Sequence, residues 1–563
     1  MRIKNKNLVS VVDKVYKYCE ENPSFNNLSK GKYTKVNKFP DMSYEALIEN
    51  KKLGERIIEE IRQIKEDEKL SNYDDLAADV TSYFVKYLMF PESIEMDEYY
   101  YLTFNITAYN CMLALIWNDL SLFDVSTEDN VKKHIELVKD FVSFTKNLRD
   151  KTFKQKEMGI YFFSFALDSA IGLMKNLAID DYNKHPLCIK KEGSVATDEQ
   201  ISIEKEYIIE ANKNFLEIAE LLDSKEYRER APINPGWGQF SKGLEYYKAC
   251  RINHLSYDIE AKDLHELGKR LLAETLEKQG ELRKKLGFDC SHDEFLLKLK
   301  GNERFYPKEA EKIGEMMNAF RDKIDSELDR YFNEKITAPC VAKRLALNLE
   351  PVMTFGFFTG SKARGEEGVY YYNGSGLEEK CQINIPFIVS HELLPGHHFQ
   401  ASVVLESETL HPLFQKMFTT CYSEGWAEYA ASLVEEMGLF RDEFDEYGKL
   451  EMDKFICVRM VVDTGLNELG WTLKEAEDYI LENTFATPQM AKTEAIRYAA
   501  LLPAQCIPYK YGSVKMAELR KRFEEKRASK FDIKEFHSLV LGVGNVPMAL
   551  LEKYVERYMV ENE

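Results

Sequence analysis

The chain has 563 residues, of which 44% are hydrophobic, and its 76 basic and 95 acidic residues give a formal net charge of −19 at neutral pH. An excess of acidic residues repels phosphate backbones, so the composition argues against nucleic-acid binding. A chain of this length exceeds one typical hydrophobic core. We therefore predict an N-terminal helical lobe over residues 1–300 and a second helical lobe over residues 301–563, facing each other across a cleft.

The N-terminus and the apolar stretches predict a protein that is neither exported nor inserted in a membrane. Residues 1–8 are basic, and Asp13 and Lys14 interrupt the place where a secretory signal has its apolar segment. The apolar stretch 159–174 contains Asp168 and is shorter than the about 20 residues that a membrane helix needs. Ten cysteines without a C-x-x-C pair indicate neither a disulfide framework nor a cysteine zinc site. We predict a cytoplasmic location.

Apolar residues recur at helical spacing through much of the chain, which predicts a mostly α fold. One segment has leucines at positions 264, 267, 271 and 282. A second segment follows Pro307, and its apolar residues at helical spacing are Ile313, Met317, Phe320, Ile324, Leu328 and Tyr331.

Residues 356–360, 364–374 and 382–386 differ from the rest, because they are aromatic and β-branched runs bounded by Gly, Asn and Pro. Such runs predict short strands or a hairpin near residues 355–386. An edge strand in this place could align a peptide backbone by strand addition, or the hairpin could simply cover the helix bundle.

Residues 391–398, with the sequence HELLPGHH, place three of the ten histidines next to one glutamate. In the common zinc-protease motif, two histidines at i and i+4 share one helix face. Position i+4 is Pro395 here, and an unbroken helix cannot aim both His391 and His397 at one ion. Pro395 and the following glycine can loop out as a bulge, which puts His397 in the place of i+4. His398 would need one more extruded residue and is the second choice as a ligand.

A third protein ligand is expected from a second helix, predicted to begin near Pro412 and to end at Gly438. Glu424 and Glu428 lie one turn apart on this helix, and either could complete the site while a fourth position stays open for water. Glu424 is preferred, because its neighbour Gly425 permits close approach of another helix.

Metal-assisted amide hydrolysis needs a general base, and Glu392 beside the first histidine fills that role. The developing oxyanion needs a donor besides the metal, and the candidates are, in order, Tyr498, Tyr509 and Arg459. A guanidinium suits a free peptide carboxylate, although an arginine on a helix more often forms a structural ion pair. The candidates for substrate binding are Arg497, Lys510 and Gln505, with His398 as a further donor.

Four more patterns accompany the histidine segment: EGWA at 424–427, Arg459 followed by VVDTG at 461–465, E-x-x-R-Y at 494–498, and P-x-Q-x-x-x-Y-K-x-G at 503–512. With HExxPGHH, these patterns resemble the signatures of the domain of unknown function 885 family, whose members are regarded as gluzincin-like zinc metallopeptidases. The resemblance implies a mostly helical metallopeptidase in which one Zn²⁺ is bound by His391, His397 and Glu424. It also implies that Glu392 is the base, and it favours Glu424 over Glu428.

The chain departs from the family pattern at Asn467, where a histidine is expected, and at Ala431, where an acid is frequent. We predict a zinc metallopeptidase that hydrolyses small peptides, most plausibly as an exopeptidase of the carboxypeptidase or dipeptidase type. One alternative is a zinc amidase that acts on a non-peptide amide. Another is a metal-binding and peptide-binding protein that has lost turnover, an alternative that the two departures favour.

Overall fold

The computed structural model of the chain describes residues 2–21, 39, 41–89, 94–106, 123–347, 350, 356–360 and 364–562. Over these residues the protein is mostly helical with one small sheet, which confirms the predicted fold class. None of the described helices is both long and apolar enough to cross a membrane.

The described part of the first half is helical, and several of its helices begin at a Ser or Thr whose side chain accepts a backbone N–H of the first turn. The α-helices are α1 (Lys6–Glu21), α2 (Tyr44–Asp67), α3 (Asn72–Tyr87), α4 (Glu128–Glu157), α5 (Ser164–Leu177), α6 (Asp198–Asp223), α7 (Lys225–Arg230), α8 (Gly243–Leu255), α9 (Ala261–Lys285) and α10 (His292–Leu299). Short 3₁₀ helices occupy Ile94–Leu102, Tyr182–Lys184 and Trp237–Gln239. Helices α4, α5 and α6 pack on one another around a buried apolar core.

The second half begins with α11 (Glu311–Asp325) and a 3₁₀ turn at Leu328–Arg330, and then forms a three-stranded sheet. Its strands are β1 (Cys340–Arg344), β2 (Gly356–Thr359) and β3 (Gly368–Tyr372). β3 is central, parallel to β1 and antiparallel to β2, so β2 lies at one edge of the sheet. The predicted strand at 382–386 is wrong, because Ile385 with Pro386 begins a helix there.

The remaining helices carry the residues predicted to form the site. They are α12 (Ile385–Glu392), α13 (His397–Glu406), α14 (Pro412–Gln415), α15 (Thr420–Glu436), α16 (Glu443–Asn467), α17 (Leu473–Asn483), α18 (Pro488–Ile496), α19 (Ile507–Arg527), α20 (Ile533–Leu541) and α21 (Met548–Glu561). A π-helical turn spans Arg497–Leu501, and a 3₁₀ turn spans Ala528–Lys530. The helix predicted from Pro412 to Gly438 is two helices, because Thr419 is held by Asn545 and Val546 at the break between them.

The two halves of the chain share long helix contacts. α9 packs along α16, where the Tyr247 hydroxyl of α8 also donates to Asp463 at 2.7 Å. α3 packs on α21, and the Asn72 side chain donates to the Tyr554 carbonyl at 3.0 Å. The predicted division at residue 300 stays a prediction.

Candidate metal centre and its cavity

The histidine-rich segment forms two helices joined by a tight turn, and not one helix with a bulge as predicted. α12 ends one residue after His391, and α13 begins at His397. Trp426 of α15 donates its indole N–H to the Pro395 carbonyl at 2.9 Å and so holds the turn. A Cβ on Gly396 would lie 1.9 Å from the His391 carbonyl oxygen, so a side chain does not fit there. The close approach of the two helix ends brings the two imidazoles together.

Three side chains from these helices and α15 converge on one point. The Oε2 atom of Glu424 lies 3.5 Å from His391 Nε2 and 3.3 Å from His397 Nε2, and the three groups offer ligand atoms within 4.8 Å of one another. Tetrahedral zinc with ligands at about 2.0–2.1 Å requires ligand atoms roughly 3.3–3.4 Å apart. Glu424 Oε2 is buried and has no hydrogen-bond partner among the described residues. The donor set and its spacing therefore fit a zinc ion.

The ring nitrogens that face away from this point have their own neighbours. His391 Nδ1 lies 3.3 Å from Glu428 Oε1, and His397 Nδ1 lies 3.5 Å from the Ser423 hydroxyl. A carboxylate on the far nitrogen of a ligating histidine fixes the orientation of the ring. Glu428, the alternative third ligand, therefore lies where it would orient His391 rather than ligate beside Glu424.

The pKa values of Glu424 and His391 are shifted in the directions that favour a bound cation. Burial would raise the pKa of Glu424, but His397 and His391 hold it well below its usual range. Burial would likewise lower the pKa of His391, but Glu424 and Glu428 raise it well above the ordinary value. The negative charge around His391 thus attracts a proton, and a divalent ion would compete for the same position.

The three groups lie in the wall of a cavity of about 780 Å³ that also contains Glu392. Burial raises the pKa of Glu392, while the two nearby histidines act in the opposite direction. Apolar side chains form most of the rest of the wall, including Phe358 of β2 and Phe387 of α12. An apolar cavity with a few convergent polar groups is the usual form of a small-ligand site.

Two of the predicted donors, Tyr509 and Arg459, line this cavity. Burial and the neighbouring Glu424 carboxylate raise the pKa of Tyr509, so its hydroxyl keeps its proton. The Arg459 guanidinium lies over the rings of Phe455 and Tyr509, 4.3 and 5.3 Å from their centroids. Among the described residues of the wall, Arg459 is the one arginine or lysine.

Tyr498 and Arg497, also predicted as site residues, lie behind Arg459 and do not line the cavity. The Tyr498 hydroxyl donates to Glu494 and is fully buried. Glu494 Oε2 also lies 3.0 Å from Arg497 Nη2 and 3.3 Å from Arg459 Nη2. The expected donor Tyr498 and anchor Arg497 are therefore held in a cluster around Glu494 that also positions Arg459.

The remaining predicted substrate residues are also absent from the described wall. Lys510 is buried and pairs with Asp453, and Gln505 precedes α19 in a turn. His398 is fully buried, and its Nε2 lies 3.0 Å from the Ala338 carbonyl oxygen. The His398 ring lies against Gly368 of β3. Successive residues on a helix point about 100° apart, so only one of two adjacent histidines can face the cavity.

The two departures from the family pattern also lie away from the cavity. Asn467 is buried and donates to the carbonyl oxygens of Asp463 and Tyr498, at 2.9 and 3.1 Å. Ala431 is buried on α15, two turns beyond Glu424. Neither residue lines the described wall, so neither departure removes a group from the site.

Tyr370 of β3 lines the cavity and was missed in the sequence. It is buried, and burial together with the charge of Glu392 raises its pKa well above the usual value. Its place in an aromatic run, Val369 to Tyr372, indicated a strand but not which of three tyrosines faces inward. The alternation of side chains along β3 decides that, and the register was not readable from the sequence.

Two solved structures share this fold. A protein of Colwellia psychrerythraea, described as a "putative lipoprotein", superposes with a TM-score of 0.81 at 21% identity, with 99% of each chain covered. A second protein, from Shewanella oneidensis, carries the same description with the words "of unknown function", and superposes with a TM-score of 0.75 at 15% identity, again with 99% of each chain covered. At these identities the similarity establishes the fold alone. No curated protein matches the sequence significantly.

The sequence signatures around the cavity agree with a match to a family model. The model is described as "Bacterial protein of unknown function (DUF885)", and it covers residues 26–555, which include every residue of the candidate metal centre. The chain therefore belongs to the DUF885 family.

Proposed function

We propose that the protein is a zinc-dependent metallopeptidase that hydrolyses short peptides. The observation that carries the proposal is the convergence of His391, His397 and Glu424 in a cavity that also contains Glu392. Two neutral imidazoles and a carboxylate form a common catalytic zinc set, which leaves a coordination position for water or substrate.

When bound, zinc lowers the pKa of a coordinated water to about 7 and polarises a carbonyl group. Glu392 follows the first ligand directly and lines the same cavity, so its carboxylate can accept the proton of the attacking water. Burial raises the pKa of Glu392 and so favours the protonated form, from which the same group can pass that proton to the leaving amine.

Two buried phenols can stabilise the oxyanion. Tyr509 lies beside Glu424, and Tyr370 lies near Glu392. Both hydroxyls stay protonated at neutral pH, because burial raises both pKa values, and both are therefore hydrogen-bond donors. Removal of an oxyanion donor costs about 10²–10³ in turnover.

Arg459 supports the finer assignment to a carboxypeptidase. It is the one arginine or lysine among the described wall residues, and it shares the single Glu494 carboxylate with Arg497. Two guanidiniums against one carboxylate leave an excess positive charge, and the Nε of Arg459 has no partner among the described residues. A free C-terminal carboxylate is the substrate group that matches this position.

The edge strand β2 supports peptide binding in an extended form. Residues 356–360 line the cavity, and in the described sheet β2 pairs with β3 along one of its two edges. A peptide could pair with the other side, as in other strand-addition complexes.

The proposal is tested with protein loaded with one equivalent of Zn²⁺ and a library of short peptides. Glu392→Gln should lower kcat/KM by about 10²–10⁴, because the general base is lost while the ligands remain. The matched control is Glu408→Gln, which removes an exposed carboxylate paired with Arg364 outside the cavity and should leave the rate unchanged. Equal inactivity of the wild type and Glu392→Gln on all peptides would contradict a peptidase. Hydrolysis of non-peptide amides alone would favour the amidase alternative.

A further inference from the structure

A second cavity of about 450 Å³ adjoins the metal cavity. Tyr370 and Ile388 belong to the walls of both cavities. The Asn384 side chain of the second wall donates a hydrogen bond to the Met452 sulfur of the first. Phe455 and Phe485, one from each wall, are in contact, with ring centroids 5.5 Å apart and ring planes tilted by 35°. The two cavities therefore share part of one wall, and a ligand that occupied both would lie beside Tyr370 and Ile388.

The second cavity has a buried carboxylate in its wall, Glu451 of α16, which is 3% exposed. Its Oε1 accepts from Gln279 and, at 3.1 Å, from Lys454. Its Oε2 is buried and has no hydrogen-bond partner among the described residues. His292 Nε2, in the same wall, also has none, and its Nδ1 lies 2.8 Å from the Tyr447 hydroxyl.

A carboxylate oxygen only accepts hydrogen bonds, so Glu451 Oε2 needs a donor in the place of the water it has lost. The other charged residues of the described wall are Asp293, Glu379 and Lys380. Lys454 pairs with Glu451 from outside the wall, and even with it three carboxylates face two lysines, so the surroundings of the cavity are net negative. Burial lowers the pKa of Lys380 itself. Burial also lowers the pKa of His292, so its ring is neutral. Its Nε2 accepts a hydrogen bond in the tautomer whose Nδ1–H faces the Tyr447 hydroxyl and Glu451 Oε1, which lie 2.8 and 3.4 Å away. Because the two side chains are neighbours, one ammonium or guanidinium group between them could donate to both.

Two charged residues of α16 also indicate which end of a peptide each cavity would hold. Arg459 follows Glu451 by eight positions, which places them about 12 Å apart along the helix and about 80° apart around it. Arg459 lines only the metal cavity and Glu451 only the second cavity. An extended peptide spans at most 3.3–3.6 Å per residue, so about four residues separate a carboxylate at Arg459 from a cation at Glu451.

We infer that the second cavity binds a cationic group of the peptide substrate, held by Glu451 and His292, while the peptide carboxylate lies near Arg459. The inference rests on the proposed peptidase function and adds a substrate class to it: short peptides of about four residues with a positive charge at the end remote from the carboxylate. The cation can be the α-ammonium group or a basic side chain, since both donate in the same way.

The test compares three peptides on the zinc-loaded, full-length protein: Gly-Ala-Phe-Phe, its N-acetylated form, and N-acetyl-Lys-Ala-Phe-Phe. Acetylation should lower kcat/KM by about 10- to 100-fold if the α-ammonium is the bound group. Recovery of the rate with the acetylated lysine peptide would assign the site to a basic side chain. Equal kcat/KM for all three peptides would overturn the inference.

Glu451→Gln should reduce the preference for the charged peptides over acetyl-Gly-Ala-Phe-Phe to less than about 3-fold. The control is Glu443→Gln on the same helix, which neutralises an acid that pairs with Lys285 outside both cavities. It should keep the full preference. A loss of preference in both variants would contradict a local role of Glu451. If Glu451→Gln does not fold, the comparison of the three peptides on the wild type still decides whether a cationic group of the substrate is bound.

Binding separates this inference from the proposed function. Calorimetry with zinc-loaded Glu392→Gln measures the affinity for the same three peptides without turnover. Tighter binding of the charged peptides without hydrolysis by the wild type would support the second cavity and contradict a peptidase. Hydrolysis with no difference in affinity would support the peptidase and contradict the cationic site.

Discussion

Replacing Gly425 by alanine should weaken both the fold and the site, because α15 and α19 meet backbone to backbone at this residue. A Cβ on Gly425 would lie 2.6 Å from the Gly512 carbonyl carbon, at least 0.8 Å closer than the ordinary contact distance of 3.4 Å. No side-chain rotation relieves this overlap, so the helices must separate. α15 carries Glu424 and α19 carries Tyr509, so the separation moves a proposed ligand away from a proposed oxyanion donor.

The expected loss is about 1–3 kcal/mol in the free energy of unfolding, as for other overpacked cores. A displacement approaching 1 Å between catalytic groups costs up to about 10²-fold in rate. Both are measured on the same preparations, by urea unfolding and by kcat/KM on the best peptide. The control is Gly172→Ala on α5, where no atom lies within 4 Å of the added Cβ. That change should stabilise the protein by about 0.5–1 kcal/mol. Gly425→Ala with unchanged stability and rate would refute the close-contact argument.

Three further predictions concern single side chains. Burial raises the pKa of Asp463 to about 6, above its ordinary 3.8, so its contribution to stability is full below pH 4 and is lost as pH rises through 6. That loss is about 3 kcal/mol. Asp463→Asn should therefore flatten the curve of unfolding free energy against pH between about pH 4 and 6. A curve parallel to that of the wild type would contradict the raised pKa of Asp463. Arg459→Met should lower kcat/KM for peptides with a free carboxylate by about 10-fold or more and leave peptide amides unaffected; an equal loss on both would argue against an anchor. Trp426→Phe removes the donor to the Pro395 carbonyl and should lower the free energy of unfolding by about 1–3 kcal/mol. It should also weaken zinc binding, measured by competition with a chelator. Unchanged zinc affinity would show that the turn keeps its conformation without this hydrogen bond.

The helices with strong apolar spacing were predictable. Leu264 and Leu282 lie on α9, and Ile313, Met317 and Phe320 lie buried on α11, because each repeats its apolar residues at helical spacing against one core. The strand pair β2–β3 was indicated by its aromatic residues. β1 was not found, since Cys340–Arg344 is too short and too polar to show an alternating pattern.

The candidate site was predictable to the extent that it depends on local spacing. The Pro395–Gly396 interruption allows the two histidines to approach each other, and Gly425 allows the helix that carries Glu424 to pack closely. The second helix start at His397 could not be predicted, because it depends on the contact of Trp426 with Pro395 across 31 residues. The placement of Tyr498 and Lys510 depends on their partners Glu494 and Asp453, and ion-pair partners distant in sequence leave no local signal.

The location and the domain boundary stay predictions. The described helices include none that could cross a membrane, and the contacts between α9 and α16 join the two halves of the chain closely.

The most direct test of the metal centre is an anomalous-difference map collected across the zinc absorption edge from crystals of the zinc-loaded protein. We expect one peak, about 2.0–2.1 Å from Nε2 of His391, Nε2 of His397 and Oε2 of Glu424. Crystals without a peak at this point, or with the ion bound elsewhere while these three side chains stay apart from it, would rule out the proposed zinc centre.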